Sequence, residues 1–157
     1  MRGGTAVLIN EKSKFIKLEK PKFVEGLGGR FASLKVELIG RTTWLTSIYL
    51  NATPGDRKKT LEELSASGLL EKNSITGGDF NVVADANVEA KYNQGINRNY
   101  SNKHSNLWEN LAAGEGLANT YRLRHGDNLA KGFTKYAGDL AVRIDRIYAT
   151  RYNSHWR

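Results

Sequence analysis

Gly77-Gly78-Asp79-Phe80-Asn81 is the stretch on which the reading of the fold turns, because it sets a carboxylate and an amide two positions apart directly after the β-prone pair Ile75-Thr76. Successive side chains of an extended chain point to opposite faces, so Asp79 and Asn81 are expected to leave a strand end pointing the same way, within reach of one ligand. Phe80 would point the other way and anchor the turn in the core, while the paired glycines would let the backbone come close to a bulky anion. A carboxylate with an amide suits hydrated Mg²⁺ and a phosphodiester better than zinc, which favours nitrogen and sulfur. The same residues also read as an ordinary Asp-Asn turn, since Gly, Asp and Asn are common in turns.

The neighbouring segments decide between the two. Upstream, Trp44 to Asn51 is a strand-like run that stops at the turn signal Thr53-Pro54-Gly55; downstream, Val142 to Tyr148 is another. On the second run Ile144 and Arg146 share one face and Arg143, Asp145 and Ile147 the other, and an acid between two arginines is not what a plain core strand carries. The N-terminal third reads as antiparallel strands over Thr5 to Asn10, Phe15 to Leu18, Phe31 to Leu38 and Thr42 to Leu50. Thr53 as N-cap, Pro54 at the first helical position and Asp56 near the capping-box position predict a helix with the apolar stripe Leu61, Leu64 and Leu69, weakened at its end by Gly68. Val82 to Tyr100 is rich in Asn and lacks periodicity, which predicts a loop over the site. Ser101 to Ala113 regains helical spacing and stops at Gly114-Glu115-Gly116; Leu117 to Leu123, Gly132 to Tyr136 and Val142 to Tyr148 are the last extended segments. Pattern alone supports a mixed α and β domain.

The 157 residues are expected to form a single domain over 1–157 with a sizeable core, supplied with three Trp, seven Tyr and five Phe. No run is long enough to span a bilayer and the N-terminus lacks the apolar stretch of a signal peptide, so a soluble, intracellular protein without a membrane partner is expected. The absence of cysteine excludes disulfides and thiolate metal sites. The net charge of +8 is unevenly spread: residues 1–41 hold nine Lys and Arg against four acids, residues 42–121 seven against nine, and residues 122–157 eight against three. Basic ends around an acidic middle are what an enzyme on a polyanion needs, cations to hold phosphates and carboxylates to hold a metal.

In order along the chain, the glycine-led strand Arg2-Gly3-Gly4-Thr5-Ala6-Val7-Leu8-Ile9, a strand ending in Tyr49, Gly78-Asp79-Phe80-Asn81, Phe133-Thr134 and Arg143-Ile144-Asp145 resemble the endonuclease/exonuclease/phosphatase superfamily. Within it the chain is most similar to the apurinic-endonuclease-like endonuclease domains of non-LTR (LINE-type) retrotransposons. The resemblance implies an α+β fold, a four-layer α/β/β/α sandwich of two mostly antiparallel sheets flanked by helices. It implies Mg²⁺ or Mn²⁺ as cofactor, DNA as substrate, and membership of a longer polyprotein with a reverse transcriptase, nuclear where the element is functional.

By the same resemblance Asp79 orients or deprotonates the attacking water and supplies the metal ligand, Asn81 holds the scissile phosphate or the metal shell, and Tyr49 places its hydroxyl on that phosphate. Asp145 matches the acid that fixes the tautomer of the family's catalytic histidine, Thr134 matches a threonine near the DNA, and Arg143 and Arg146 are expected among the substrate-binding residues. The family's first metal-binding Asn and Glu precede the glycine-led strand, and its closing Ser-Asp-His follows the last strand. Neither has a counterpart here; Asn153-Ser154-His155 lacks the Asp, and His104 and His125 have no motif around them. A fragment with weak or no activity is therefore expected. Two other functions fit the residues: a non-catalytic basic nucleic-acid binder, and a phosphatase or phosphodiesterase of the same superfamily acting on a lipid head group.

Overall fold

The computed structural model of the chain describes residues 4–10, 12–18, 22–92, 104–126 and 132–150. In chain order its elements are β1 (Ile16–Lys17), β2 (Phe23–Gly26), β3 (Phe31–Leu38), β4 (Arg41–Tyr49), α1 (Pro54–Ser67), β5 (Ser74–Asp79), α2 (Ala86–Glu89), β6 (Ala90–Tyr92), α3 (Ser105–Gly114), β7 (Leu117–Asn119), α4 (Thr120–His125), β8 (Lys135–Ala137), β9 (Leu140–Val142) and β10 (Asp145–Thr150). Seven strands form one sheet in the order β1-β3-β4-β5-β10-β7, with β2 also on β3, and β6-β9-β8 form a second. Among the described residues β4 and β5 run parallel and every other pairing is antiparallel. This is the expected α+β architecture of two mostly antiparallel sheets with flanking helices.

Residues paired in register share a face of the sheet. Phe31 pairs with Ile48, Ile48 with Gly78, Gly78 with Arg146, and these positions look toward the helices. Leu61 and Leu64 of α1 and Trp108 and Ala112 of α3 bury that face together with Phe31, Ile48 and Tyr148. At its centre the Phe80 ring lies 4.5 Å from Trp108 and 5.3 Å from Tyr148, in tilted and edge-on geometry that suits aromatic quadrupoles. Phe80 thus anchors its turn in the core, as its position after Asp79 predicts. Val83, Ala90, Val142 and Ile144 form a smaller apolar cluster beside the second sheet. On the opposite face of the large sheet Ile147 is 54% exposed.

Several local expectations are corrected. Residues 4–10 run without strand pairing, tied by Thr5 N–H to the Gly29 carbonyl at 3.0 Å and by the Thr5 hydroxyl to that of Ser47. Thr53 precedes α1 in extended geometry with no side-chain cap; Pro54 starts the helix and Gly68, at φ 60, ends it as a left-handed cap. The loop predicted over Val82 to Tyr100 holds the short elements α2 and β6, and its remainder lies outside the described residues, as does Asn153-Ser154-His155. Leu117 to Leu123 is a strand only to Asn119, whose side-chain oxygen accepts from the Tyr121 and Arg122 N–H groups and turns the chain into α4. Val142 to Tyr148 is not continuous: the ladder breaks at Arg143-Ile144, between β9 and β10.

Candidate active site

Three strands bring three of the expected residues side by side. Tyr49, last in β4, is the register partner of Asp79, last in β5, and Asp79 is the partner of Asp145, first in β10. Equal register puts all three side chains on the face opposite the helices, at one end of three adjacent interior strands. Asn81 joins them by a route other than strand alternation. The strand ends at Asp79 and Asn81 takes φ 48, so its N–H turns back to Asp79 Oδ1 at 2.8 Å while its side-chain amide donates to the Leu50 carbonyl at 2.8 Å. This Asx-type turn leaves the second carboxylate oxygen of Asp79 as the outward one.

Gly78 is also required by a contact within the protein. A Cβ on Gly78, which sits at φ 154, would lie 1.8 Å from the Ile48 carbonyl oxygen. The close approach is to β4 of the same protein, and it lets β5 pair tightly enough for Tyr49 and Asp79 to be neighbours. A Cβ on Gly77 would make only ordinary contacts, the nearest at 3.7 Å.

Thr134 supports Asp145 from below. Its hydroxyl oxygen accepts from the Ile144 N–H at 3.2 Å and the Asp145 N–H at 3.1 Å, satisfying the donors freed where the ladder breaks. Arg143 and Arg146 are not presented to solvent: both are buried around Glu89, whose own side chain is wholly buried. Arg143 Nη2 lies 3.2 Å from Glu89 Oε1 and Arg146 Nη2 3.1 Å from Oε2; Arg122 of α4 adds a third cation at 3.4 Å, and the Ala84 N–H donates to Oε2 at 2.8 Å. Arg143 also stacks its guanidinium 4.2 Å above the Tyr121 ring. Glu89 therefore ties the chain leaving Asn81 to β10 and α4, and it pairs with Arg143 and Arg146, which also line the open space beside Asp79 and Asp145. Sequence reasoning had no ground to single out Glu89, one acid in an Asn-rich stretch without periodicity.

Beside the carboxylates lies an open cleft of about 1500 Å³. Its lining includes Ile75 of β5, Ile147 of β10, Arg124 and His125 of α4, and Phe133 and Thr134. Burial pushes the Asp79 carboxyl above its ordinary value of 3.8; the Asn81 backbone bond opposes this, the neighbouring Asp145 charge adds to it, and Lys135 opposes it more weakly. A carboxyl with raised proton affinity beside a cleft that the exposed Arg124 also lines is equipped to accept a proton beside a bound anion.

Among the described residues no group of three or more His, Cys, Asp and Glu is placed to hold a metal ion. The donors that are present, the Asp79 and Asp145 carboxylates in register, are oxygen only and doubly anionic, which matches a hydrated Mg²⁺ held by one or two carboxylates. No helix among the described residues is long and apolar enough to cross a membrane.

The sheet order and helix placement form a fold that the chain shares with solved structures at low identity. One is a 3'-5' exonuclease (NExo) from Neisseria meningitidis, 16% identical over 85% of this chain and 59% of that one, with a TM-score of 0.58. Another is a D. rerio TDP2 humanized by 14 mutations, 15% identical over 87% of this chain and 53% of that one, with a TM-score of 0.53. A third is the endonuclease domain of TRAS1, a telomere-specific non-LTR retrotransposon, 14% identical over 85% of this chain and 55% of that one, with a TM-score of 0.49. The chain thus spans between half and three-fifths of the length of these three solved chains. No family model and no curated protein matches the chain.

Proposed function

We propose that the chain is a metal-dependent phosphodiesterase domain that nicks DNA, of the retrotransposon endonuclease type, weak in activity as it stands. One observation carries the reading: Tyr49, Asp79 and Asp145 are register neighbours at one end of three adjacent strands, with Asn81 folded back onto Asp79. Asp79 accepts the proton of the attacking water through its outward oxygen, while the Asn81 N–H fixes the other oxygen. The Tyr49 hydroxyl donates to a phosphate oxygen, and Arg124 and His125 hold flanking phosphates along the cleft. Mg²⁺ or Mn²⁺ held by Asp79 and Asp145 would supply neutralisation of charge growing on the phosphorus oxygens. The motif order Gly-Asp-Phe-Asn, Phe-Thr, Arg-Ile-Asp supports the retrotransposon assignment, and with it the reverse-transcriptase polyprotein and the nuclear setting.

Plasmid nicking in Mg²⁺, compared between the chain and Asp79→Ala, tests this. Loss of roughly 10²–10⁴ in rate is expected in the variant; equal traces in both overturn the reading. The cations lining the cleft, beside only two carboxylates, also favour a non-catalytic nucleic-acid binder. In that case DNA affinity falls by roughly 0.9 log units per log unit of salt for each phosphate neutralised, and Asp79→Ala leaves that affinity unchanged.

A further inference from the structure

Arg57 lies in the first turn of α1 and is 3% exposed. Its Nη1 lies within hydrogen-bond distance of three backbone carbonyls, those of Asn51 at 3.1 Å, Ala52 at 2.9 Å and Asn81 at 2.9 Å, which share its two N–H groups. The first two belong to the link that leaves Tyr49, the third to the turn that leaves Asp79. These two exits have no ladder to hold them, since β4 and β5 end in register at Tyr49 and Asp79. One direct backbone bond, from the Leu50 N–H to the Asp79 carbonyl at 2.9 Å, continues past that point. Thr60 adds a second tie from α1 by donating to the Asn51 side-chain oxygen at 2.9 Å.

We infer that Arg57 is a positioning residue for the site: by clamping the Asn81 carbonyl to the exit of β4, it holds Asn81 in its left-handed conformation with its N–H aimed at Asp79 Oδ1. The restraint is mechanical. Rotating the peptide that carries the Asn81 carbonyl, or letting Asn81 relax from φ 48 to the ordinary negative region, swings its N–H off the carboxylate. A charge-assisted bond from a buried guanidinium opposes that motion strongly. Phe80 and Gly78 fix the strand up to Asp79; Arg57 fixes the turn beyond it. The inference rests on Asp79 and Asn81 being the reacting pair only for its effect on rate.

The test therefore reads the positioning without activity. In the wild-type chain, NMR contacts between the Arg57 guanidinium protons and Asn81 are expected, and the Asn81 amide, bonded to Asp79 Oδ1, should be protected from hydrogen exchange. In Arg57→Met that protection is lost, because the amide swings off the carboxylate. An Asn81 amide equally protected in a folded Arg57→Met chain overturns the inference. Wild-type spectra without guanidinium contacts to Asn81 overturn it as well, even where the variant does not fold. If the chain nicks DNA, Arg57→Met should lower kcat by about 10²-fold with KM little changed, the effect of a small misplacement at the reacting atoms. Absence of nicking in the wild type would overturn the proposed function and leave the NMR outcome to judge Arg57.

Discussion

Replacing Glu89 by Gln is the sharpest test of how this site is held. The substitution keeps size and shape but removes the one negative charge that Arg143, Arg146 and Arg122 share. Arg122 is one-third exposed and can turn to water; the side chains of Arg143 and Arg146 are 3% and 1% exposed and cannot. Burial already pulls the Arg143 guanidinium below its ordinary range, with Glu89 opposing that pull and Arg146 adding to it. Without the carboxylate two guanidiniums are left in low dielectric, and the amide offers one of them a donor where it needs an acceptor. Breaking a buried pair in this way costs about 3–5 kcal/mol, out of the roughly 5–15 kcal/mol that holds a domain folded. With a urea slope of about 2 kcal/mol per M, the unfolding midpoint should fall by roughly 1.5–2.5 M. The assay is urea unfolding followed by tryptophan fluorescence, because Trp108 is buried against Phe80 in the adjoining core. A midpoint shift equivalent to less than about 1 kcal/mol would rule out this account of the cluster, since it would mean that the cations are solvated or otherwise paired. The companion variant, with Glu89, Arg143 and Arg146 all replaced by Met, should recover part of the loss, because an apolar set of similar volume carries no desolvation penalty.

Other consequences are equally direct. Gly78→Ala should prevent formation of the β4–β5 pair, seen as loss of soluble folded protein, while Gly77→Ala should leave the unfolding midpoint within about 1 kcal/mol; similar behaviour of the two would contradict the 1.8 Å approach to Ile48. For Asp79 the sign is fixed by its raised value: the stability linked to its protonated form is complete below 3.8 and is lost as pH rises through the folded value. Asp79→Asn should therefore melt higher than wild type at pH 7, with the gap closing as pH falls toward 3.8, and a variant less stable at pH 7 would reverse the inference. Phe80→Ala should cost about 3–5 kcal/mol by emptying the space between Trp108 and Tyr148, measured by the same urea assay.

Much of this arrangement is legible in the sequence. The alternation in Phe31 to Leu38 and Trp44 to Tyr49, the Pro54 helix start and the strand before Asp79 all rest on local signals, and the strands and helix lie where those signals place them. The hidden part depends on partners far along the chain. Glu89 meets Arg143 and Arg146 across separations of 54 and 57 residues, and Arg57 reaches Asn81 across 24. Periodicity within a window carries no trace of such pairs. The elements missed, β2, α2, β6 and α4, are three to six residues long, too short for a helical or strand period to register. Thr120-Tyr121-Arg122-Leu123 has the β-prone residues of a strand, and only the Asn119 cap decides for a helix.

The location of the site stems from the one parallel pairing among the described residues. In an antiparallel pair a strand exit lies beside the start of its neighbour, and the hairpin usually closes the gap with its own backbone. Parallel β4 and β5 place two exits at the same end of the sheet, and the crossover helix α1 begins there, leaving a rim whose carbonyls and turns must be satisfied by something else. Here that something is polar: Arg57 for the carbonyls, Asn81 for the Asp79 carboxylate and the Leu50 carbonyl, and the hydroxyl of Thr134 for the N–H groups where β10 begins. Two of these ties, from the Asn81 N–H to Asp79 and from the Asp145 N–H to Thr134, also fix a side chain that lines the cleft. The groups that complete the backbone hydrogen bonding of the rim thus include those that hold Asp79 and Asp145 in place. Disturbing one of them should alter stability and site geometry together, whereas a substitution of exposed Arg124 should alter anion binding alone.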